Sequence, residues 1–210
     1  MLYCPSDMDE SLRQAALAGN VSDLYRLIER DGNVLRRIDE VEFTDTPLHI
    51  AADAGCIDFA MEIMSLKPSF ARKLNRQGLS PIHLAVEKGH TELVLYLMEN
   101  AKDLVRVKGK KGETPLHYVI SREENHQLQL LTRFIEDCPE SIRDVTTENQ
   151  TALHIAVRNN KEGALKILCK MLRKTDYCQD VVNQKDRNGD TALHIAVRDN
   201  LPEVRLILST

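Results

Sequence analysis

The chain has 210 residues, of which 42% are hydrophobic and 29% charged, and its formal net charge is −4 at pH 7. This composition is that of an ordinary folded protein and excludes intrinsic disorder of the whole chain. Only 4% of the residues are aromatic and none is Trp, which argues against β-sandwiches and barrels, and against single-strand nucleic-acid binders that stack bases on rings. We therefore predict packed helices and no nucleic-acid partner.

The cysteines and the N-terminus bear on the compartment. The chain has five cysteines, an odd number, and no two are spaced as CxxC, so we expect a reducing compartment without a disulfide framework or zinc ribbon. Residues 1–10 lack the basic and apolar regions of a secretory signal. No run approaches the roughly 18 apolar residues of a membrane span, and we expect this stretch to be soluble and cytoplasmic, with no direct membrane insertion.

A seven-residue motif recurs along the chain. Its copies begin at Thr46, Ser80, Thr114, Thr151 and Thr191 and read TPLHIAA, SPIHLAV, TPLHYVI, TALHIAV and TALHIAV. Each Thr or Ser supplies a hydroxyl that can cap a helix N-terminus, and Pro at the next position suits the first helical turn. The helix is predicted to end at residues that tolerate a left-handed conformation, which are Gly55, Gly89, Asn160 and Asn200.

A second apolar stripe follows each motif and predicts a second helix. Leu165, Leu168 and Leu172 are an example of this helical spacing. Polar loops then lead to the next motif. The motif and its period resemble the ankyrin repeat, with its T-P-L-H-x-A signature about every 33 residues.

The resemblance implies an all-α ankyrin-repeat solenoid of about six helix-turn-helix units with finger loops. We predict one domain over residues 1–210. Its units cover residues 8–43, 44–77, 78–111, 112–148, 149–188 and 189–210, the last of them incomplete.

The residues offer no catalytic or metal site. Five of the seven histidines stand in the motif, and packed helices about 10 Å apart cannot bring them to one ion whose ligands lie at about 2.0–2.1 Å. In the ankyrin family this His bonds the backbone of a neighbouring repeat. The lysine-rich stretch 108–112 lacks the spacing of a phosphate-binding loop. We predict no enzymatic activity, no metal and no cofactor.

A stack of repeats builds an extended concave surface that is used for binding partners. We predict that a groove of finger loops and first helices binds an acidic or carboxylate-bearing peptide, because basic side chains there suit carboxylates. The predicted groove residues are Phe43, Asp45, Arg76, Leu79, Lys88, Lys110, Lys111, Tyr118, Arg122, Arg158, Arg187 and Arg198. Phe43, Leu79 and Tyr118 are the expected apolar contacts. The alternative is a solvated face in which neighbouring charges pair.

A closer resemblance concerns two segments. The sequence TALHIAVR at 151–158 and 191–198, and LNRQGLSPIHLA at 74–85, are similar to plant ankyrin proteins of the ankyrin-transmembrane family, the accelerated-cell-death and bian-da type. The resemblance implies C-terminal transmembrane helices in the full-length protein and a place at the cytoplasmic face of the plasma membrane. It further implies immune or stress signalling, with the cytoplasmic tail of a membrane receptor as a partner.

The C-terminus is apolar where a solenoid usually carries a polar cap. Val204, Leu206, Ile207 and Leu208 are all apolar. We therefore expect a piece of a longer protein. The alternative function is a structural scaffold that self-associates through this uncapped C-terminal face.

Overall fold

The computed structural model describes residues 8–122, 127–174, 176 and 178–201, without the side chains of Gln127 and Cys178. The apolar residues predicted at 204–208 lie outside these ranges. In the described part the helices are α1 (Glu10–Ala18), α2 (Val21–Arg30), α3 (Val34–Glu40), α4 (Pro47–Ala54), α5 (Ile57–Leu66), α6 (Pro81–Lys88), α7 (Thr91–Asn100), α8 (Pro115–Arg122), α9 (Gln127–Asp137), α10 (Ala152–Arg158), α11 (Glu162–Leu172), α12 (Cys178–Asn183) and α13 (Ala192–Arg198). The same part holds no β-strand beyond an isolated parallel bridge between Phe43 and Leu74.

The chain forms two compact units, of which unit 1 ends at Leu104 and unit 2 begins at Val105. In unit 1 the first helices α1, α4 and α6 pack in succession, and α2, α5 and α7 pack against them as second helices. In unit 2, α10 packs between α8 and α13, while α9 and α11 pack on α8 and α10. The paired helices that the repeated motif predicts are therefore present in both units.

Each first helix after α1 begins with a bond between the capping residue and the motif histidine. In α4, the Thr46 N–H donates to His49 Nδ1 at 3.1 Å, and Thr46 Oγ1 lies 2.8 Å from the same nitrogen. The predicted caps Ser80, Thr151 and Thr191 make the same box. Thr114 makes it with His117, at 3.0 and 2.8 Å. The hydroxyl residues therefore fix where each helix starts.

The other nitrogen of the motif histidine joins consecutive repeats. His49 Nε2 lies 3.0 Å from the backbone oxygen of Leu79, and His154 Nε2 lies 3.1 Å from that of Asp190. Burial lowers the pKa of His49 and of His117 to about 4, so these rings are neutral at pH 7. The predicted backbone role is confirmed for His49 and His154, whereas His117 Nε2 has no partner among the described atoms.

The predicted helix ends adopt the left-handed conformation. Gly55 and Gly89 have φ of 75° and 76°, and Asn160 and Asn200 have φ of 51° and 52°. A Cβ on Gly55 would lie 2.7 Å from two atoms of the His90 ring. Glycine is therefore required at this turn for its backbone conformation and for the space it leaves.

Candidate partner-binding site

Four loops lead into first helices, and we call them fingers: residues 75–80 in unit 1 and residues 109–114, 146–151 and 186–191 in unit 2. Each is closed by a hydrogen bond from the N–H of its first residue to the carbonyl oxygen of its fifth. These bonds are Asn75 to Leu79 at 2.9 Å, Gly109 to Glu113 at 2.8 Å, Thr146 to Gln150 at 3.0 Å and Asp186 to Asp190 at 2.8 Å. The four fingers therefore share one register relative to the helices they precede.

In three fingers the first side chain also braces the loop. Its oxygen accepts two backbone N–H groups, which is the turn chemistry of Asn, Asp and Thr. The pairs are Asn75 with Gln77 and Leu79, both at 3.0 Å; Thr146 with Glu148 and Gln150, at 3.2 and 3.3 Å; and Asp186 with Asn188 and Asp190, at 2.8 and 3.0 Å. These loops are thus held by their own side chains.

The three fingers of unit 2 are also bonded to one another at their tips. The Thr147 N–H donates to the carbonyl oxygen of Lys111 at 2.8 Å, and its hydroxyl donates to the same oxygen at 3.0 Å. The Arg187 N–H donates to the carbonyl oxygen of Glu148 at 3.0 Å. The side chains at these tips are therefore presented from a hydrogen-bonded frame.

In unit 1, the two apolar residues of the predicted groove differ in exposure. Phe43 is 51% exposed, as a partner contact requires, but Leu79 is only 6% exposed. Leu79 is the fifth residue of its finger. Its carbonyl oxygen accepts a hydrogen bond from His49 Nε2, and its side chain is buried in the core. We therefore leave Leu79 out of the proposed binding surface.

The charged residues predicted for unit 1 are engaged within the fold. Lys88 Nζ lies 3.1 Å from Asp53 Oδ1, and Asp45 Oδ1 accepts from Asn75 Nδ2 at 2.9 Å. Arg76 lies exposed at its finger tip. In unit 1, Lys88 and Asp45 are therefore bonded within the protein, and Phe43 is the exposed apolar residue of the predicted groove.

The arginines predicted for unit 2 are also paired. Arg158 Nη2 donates to Asp186 Oδ2 at 2.8 Å, and Arg187 Nη1 lies 3.1 Å from Glu148 Oε1. Arg198 pairs with Asp190 and, at 3.3 Å, with Asp199. These three arginines therefore fit the alternative interpretation of the sequence, in which neighbouring charges on this face pair with one another.

The carboxylate that Arg158 reaches is part of the fold. The Asp186 side chain is 1% exposed. Burial would raise the pKa of Asp186, but the N–H groups of Asp190 and Asn188 and the Arg158 guanidinium outweigh burial, and the pKa is lowered. Arg158 is therefore the cation that pairs with the buried carboxylate of Asp186, and it stabilises the fold.

A different set of cations is available at the first finger of unit 2. Lys108, Lys110 and Lys111 are exposed, and none has an ion pair among the residues that the structure describes. Tyr118 is half-buried on α8 and Arg122 lies exposed at its end. The sequence places Lys110 and Lys111 in the groove, but nothing in their local pattern separates them from the arginines that the structure pairs with carboxylates.

The same described ranges contain neither a metal site nor a membrane-spanning helix. No group of three or more His, Cys, Asp or Glu side chains is placed to hold a metal ion. No helix there is both long enough and apolar enough to cross a bilayer. The charged finger surface is therefore the strongest candidate site.

Comparisons with known proteins bear on the family and the fold. A family model described as ankyrin repeats matches in three copies, over residues 12–108, 101–180 and 123–210. The Ankyrin repeat-containing protein BDA1 of Arabidopsis thaliana is 49% identical over 73 residues, which make up 35% of this chain and 17% of that protein. A chain in the solved complex of the Bd0816 predatory endopeptidase from Bdellovibrio bacteriovorus with immunity protein Bd3460 is similar with a TM-score of 0.69. The similarity covers 97% of this chain and 98% of the other. Because the sequences are only 20% identical, it supports the fold and nothing further.

Proposed function

The chain belongs to the ankyrin-repeat family, and on this premise we propose that the fingers and first helices of unit 2 bind an acidic or carboxylate-bearing peptide segment of a protein partner. Ankyrin repeats are protein–protein interaction modules, so the general class of activity follows from the family. The segment would lie along side chains of consecutive repeats, and no chemical step on it is proposed.

One observation carries the acidic nature of the segment. Lys110 and Lys111 lie in one finger and Lys108 immediately before it; all three are exposed and have no carboxylate partner in the described part of the chain, whereas Arg158 and Arg187 are already paired. Cations without a partner attract an anionic ligand without first breaking an internal ion pair. The net charge of −4 gives the protein as a whole no general affinity for anions, so an acidic segment must be attracted by a local group of cations such as this one.

The biological setting is a second part of the proposal. Similarity to a plant ankyrin protein over 73 residues supports a role in plant immune or stress signalling. In that setting the full-length protein carries C-terminal transmembrane helices and lies at the cytoplasmic face of the plasma membrane. The bound segment is then the cytoplasmic tail of a receptor.

The test uses a short fluorescent peptide rich in Asp and Glu, with a peptide of the same length made of Asn and Gln as its control. We expect the acidic peptide to bind the full chain and the neutral one to bind more weakly. Raising the ionic strength should weaken only the acidic complex, because exposed charges are screened over about 10 Å at 0.1 M salt. Equal binding of both peptides, unaffected by salt, would refute the proposal.

A specific observation also favours the alternative, self-association. On α13, Leu193 is 38% and Val197 is 51% exposed, whereas the equivalent Leu153 and Val157 of α10 are fully buried. Because α13 covers α10, a further helix of the same kind would cover α13. Light scattering over a range of concentrations tests this. If the chain is a self-associating scaffold, its average molar mass should rise with concentration, and the L193E/V197E variant should have the mass of a monomer at every concentration. A constant monomeric mass of the unmodified chain would exclude the scaffold.

A further inference from the structure

The finger at residues 109–114 lacks the side chain that braces the other three. Its first residue is Gly109, at the position held by Asn75, Thr146 and Asp186 elsewhere. Gly109 makes the same closing bond to Glu113 at 2.8 Å, so the register is unchanged. What this finger lacks is the oxygen that accepts backbone N–H groups from inside the loop.

The consequence appears at Lys111. Its equivalents in the other three fingers, Gln77, Glu148 and Asn188, donate their N–H groups to that oxygen at 3.0, 3.2 and 2.8 Å. The Lys111 N–H finds no acceptor among the described residues. Within this loop the Glu113 N–H bonds instead to the Lys110 carbonyl oxygen at 3.2 Å. One backbone donor at the tip is thus left for an external acceptor.

The backbone of the tip is also unusual. Lys111 has a φ of 60°, and the other described non-glycine residues with a positive φ are all asparagines. A lysine in this conformation costs roughly 1–2 kcal/mol. Strain of this kind is retained at ligand-binding positions more often than elsewhere. The carbonyl oxygen of Lys111 is held by Thr147, so the strained residue is fixed in place.

We propose that this finger binds an oxyanion of the partner segment, whose oxygen takes the place of the missing side-chain acceptor and receives the Lys111 N–H. The ammonium groups of Lys108, Lys110 and Lys111 surround the anion. The ligand group is a carboxylate or a phosphoryl group on a peptide. This inference rests on the proposed function and names the contact that anchors the segment.

The charges favour a peptide over a membrane surface. Basic segments that hold anionic lipids usually contain about four to eight Lys or Arg residues, whereas this finger contains two lysines and Lys108 comes immediately before it. A single backbone donor beside three cations suits one anionic group on an extended segment. Binding to phosphatidylserine vesicles is measured as well. If the chain binds these vesicles but neither small anion, the proposal is contradicted.

The test needs no knowledge of the partner. Inorganic phosphate and acetate are titrated separately into the full chain at constant ionic strength, and backbone amide resonances are followed by NMR. We expect saturable shifts of the Lys111 amide. The anion with the lower dissociation constant identifies the group, phosphoryl or carboxylate, that the finger prefers.

Two variants at one position separate the proposal from general electrostatics. Gly109 has φ −90° and ψ −154°, which other residues also adopt. In Gly109→Asn the new side-chain oxygen can accept the Lys111 N–H as that of Asn75 accepts the Gln77 N–H, and it adds no charge, so we expect the anion dissociation constant to rise about tenfold or more. Gly109→Ala adds a Cβ without an acceptor and should bind like the unmodified chain.

The outcomes are distinct from those of the peptide experiment. If acidic peptides bind but neither small anion moves the Lys111 amide, or if Gly109→Asn binds anions as well as Gly109→Ala, the anchor is refuted and the binding function stands. If the anions bind at Lys111 but no acidic peptide binds, the anchor stands and the wider surface fails. Equal amide shifts at all exposed lysines would also overturn the proposal.

Discussion

Arg158 donates to the carboxylate of Asp186 at 2.8 Å, and that carboxylate is 1% exposed. The sequence predicts that Arg158 binds a partner, whereas in the structure it pairs with a buried carboxylate of the same chain. The pair joins the end of α10 to the finger that precedes α13. Replacing it therefore changes stability, and reversing its charge is not a clean test of partner binding.

The first prediction follows from this pair. Arg158→Ala leaves Asp186 buried with two backbone N–H bonds and no cation, and we expect the free energy of unfolding to fall by about 1–3 kcal/mol. Lys170→Ala, on the exposed side of α11, is the control. Urea denaturation followed by circular dichroism measures both. A loss for Arg158→Ala no larger than that of the control would contradict the structural role.

The second prediction concerns pH. Burial lowers the pKa of His49 and His117 to about 4, below the value near 6.5 expected in the unfolded chain. The unfolded state then binds more protons between these values, so stability is complete above about pH 6.5 and is lost as pH falls toward 4. Each histidine should contribute about 3 kcal/mol of this loss by pH 4.

The measurement is the free energy of unfolding from pH 7.5 to pH 4.5. His49→Gln and His117→Gln should each flatten the dependence on pH, whatever they cost at pH 7.5, because neither Gln titrates. A slope in both variants equal to that of the unmodified chain would show that these rings are not the groups that protonate.

The third prediction concerns the turn after α4. Gly55→Ala requires a positive φ and places a Cβ 2.7 Å from the His90 ring, and we expect a loss of about 2 kcal/mol or more. Gly32→Ala is the matched control, because no atom lies within 4 Å of its Cβ position. Thermal unfolding separates them. Equal melting temperatures for the two variants would be incompatible with the observed turn.

The parts of the fold that depend on single residues were predictable. The caps at Thr46 and Thr151 and the turns at Gly55 and Asn160 are confirmed, since each rests on the chemistry of that residue. The predicted fold class, an all-helical ankyrin solenoid, is confirmed as well. The repeat boundaries remain a prediction.

The binding surface was less predictable, because it depends on which repeat supplies a neighbour. The contact of His49 with Leu79 and the pairing of Arg158 with Asp186 join positions 30 and 28 residues apart, and no local pattern encodes them. The missing side chain at Gly109 could have been found by aligning the fingers, because the other three have Asn, Thr or Asp at this position. The lysines of that finger were recognised from composition, and their role stays a proposal.

The fourth prediction concerns the strained finger tip. Lys111→Asn replaces lysine at φ 60° by a residue that tolerates this conformation, and we expect unit 2 to gain roughly 0.5–1 kcal/mol of stability. Lys110→Asn, the matched control, removes the same charge without relieving the backbone. Hydrogen exchange of the Thr147 amide, which bonds to residue 111, reports the gain. Slower exchange in both variants, or in neither, would contradict the strain.

The central claim is that the finger lysines of unit 2 attract an acidic partner segment. The most direct measurement is the dissociation constant of the acidic peptide for K110E/K111E and for K170E/K174E, which make the same change of charge on exposed lysines. Lys170 lies on the second helix α11 and Lys174 follows it, so the control leaves the fingers intact. The account predicts a loss of about tenfold or more in affinity for the finger variant and little change for the control. Equal losses in both variants, or none in either, would contradict it.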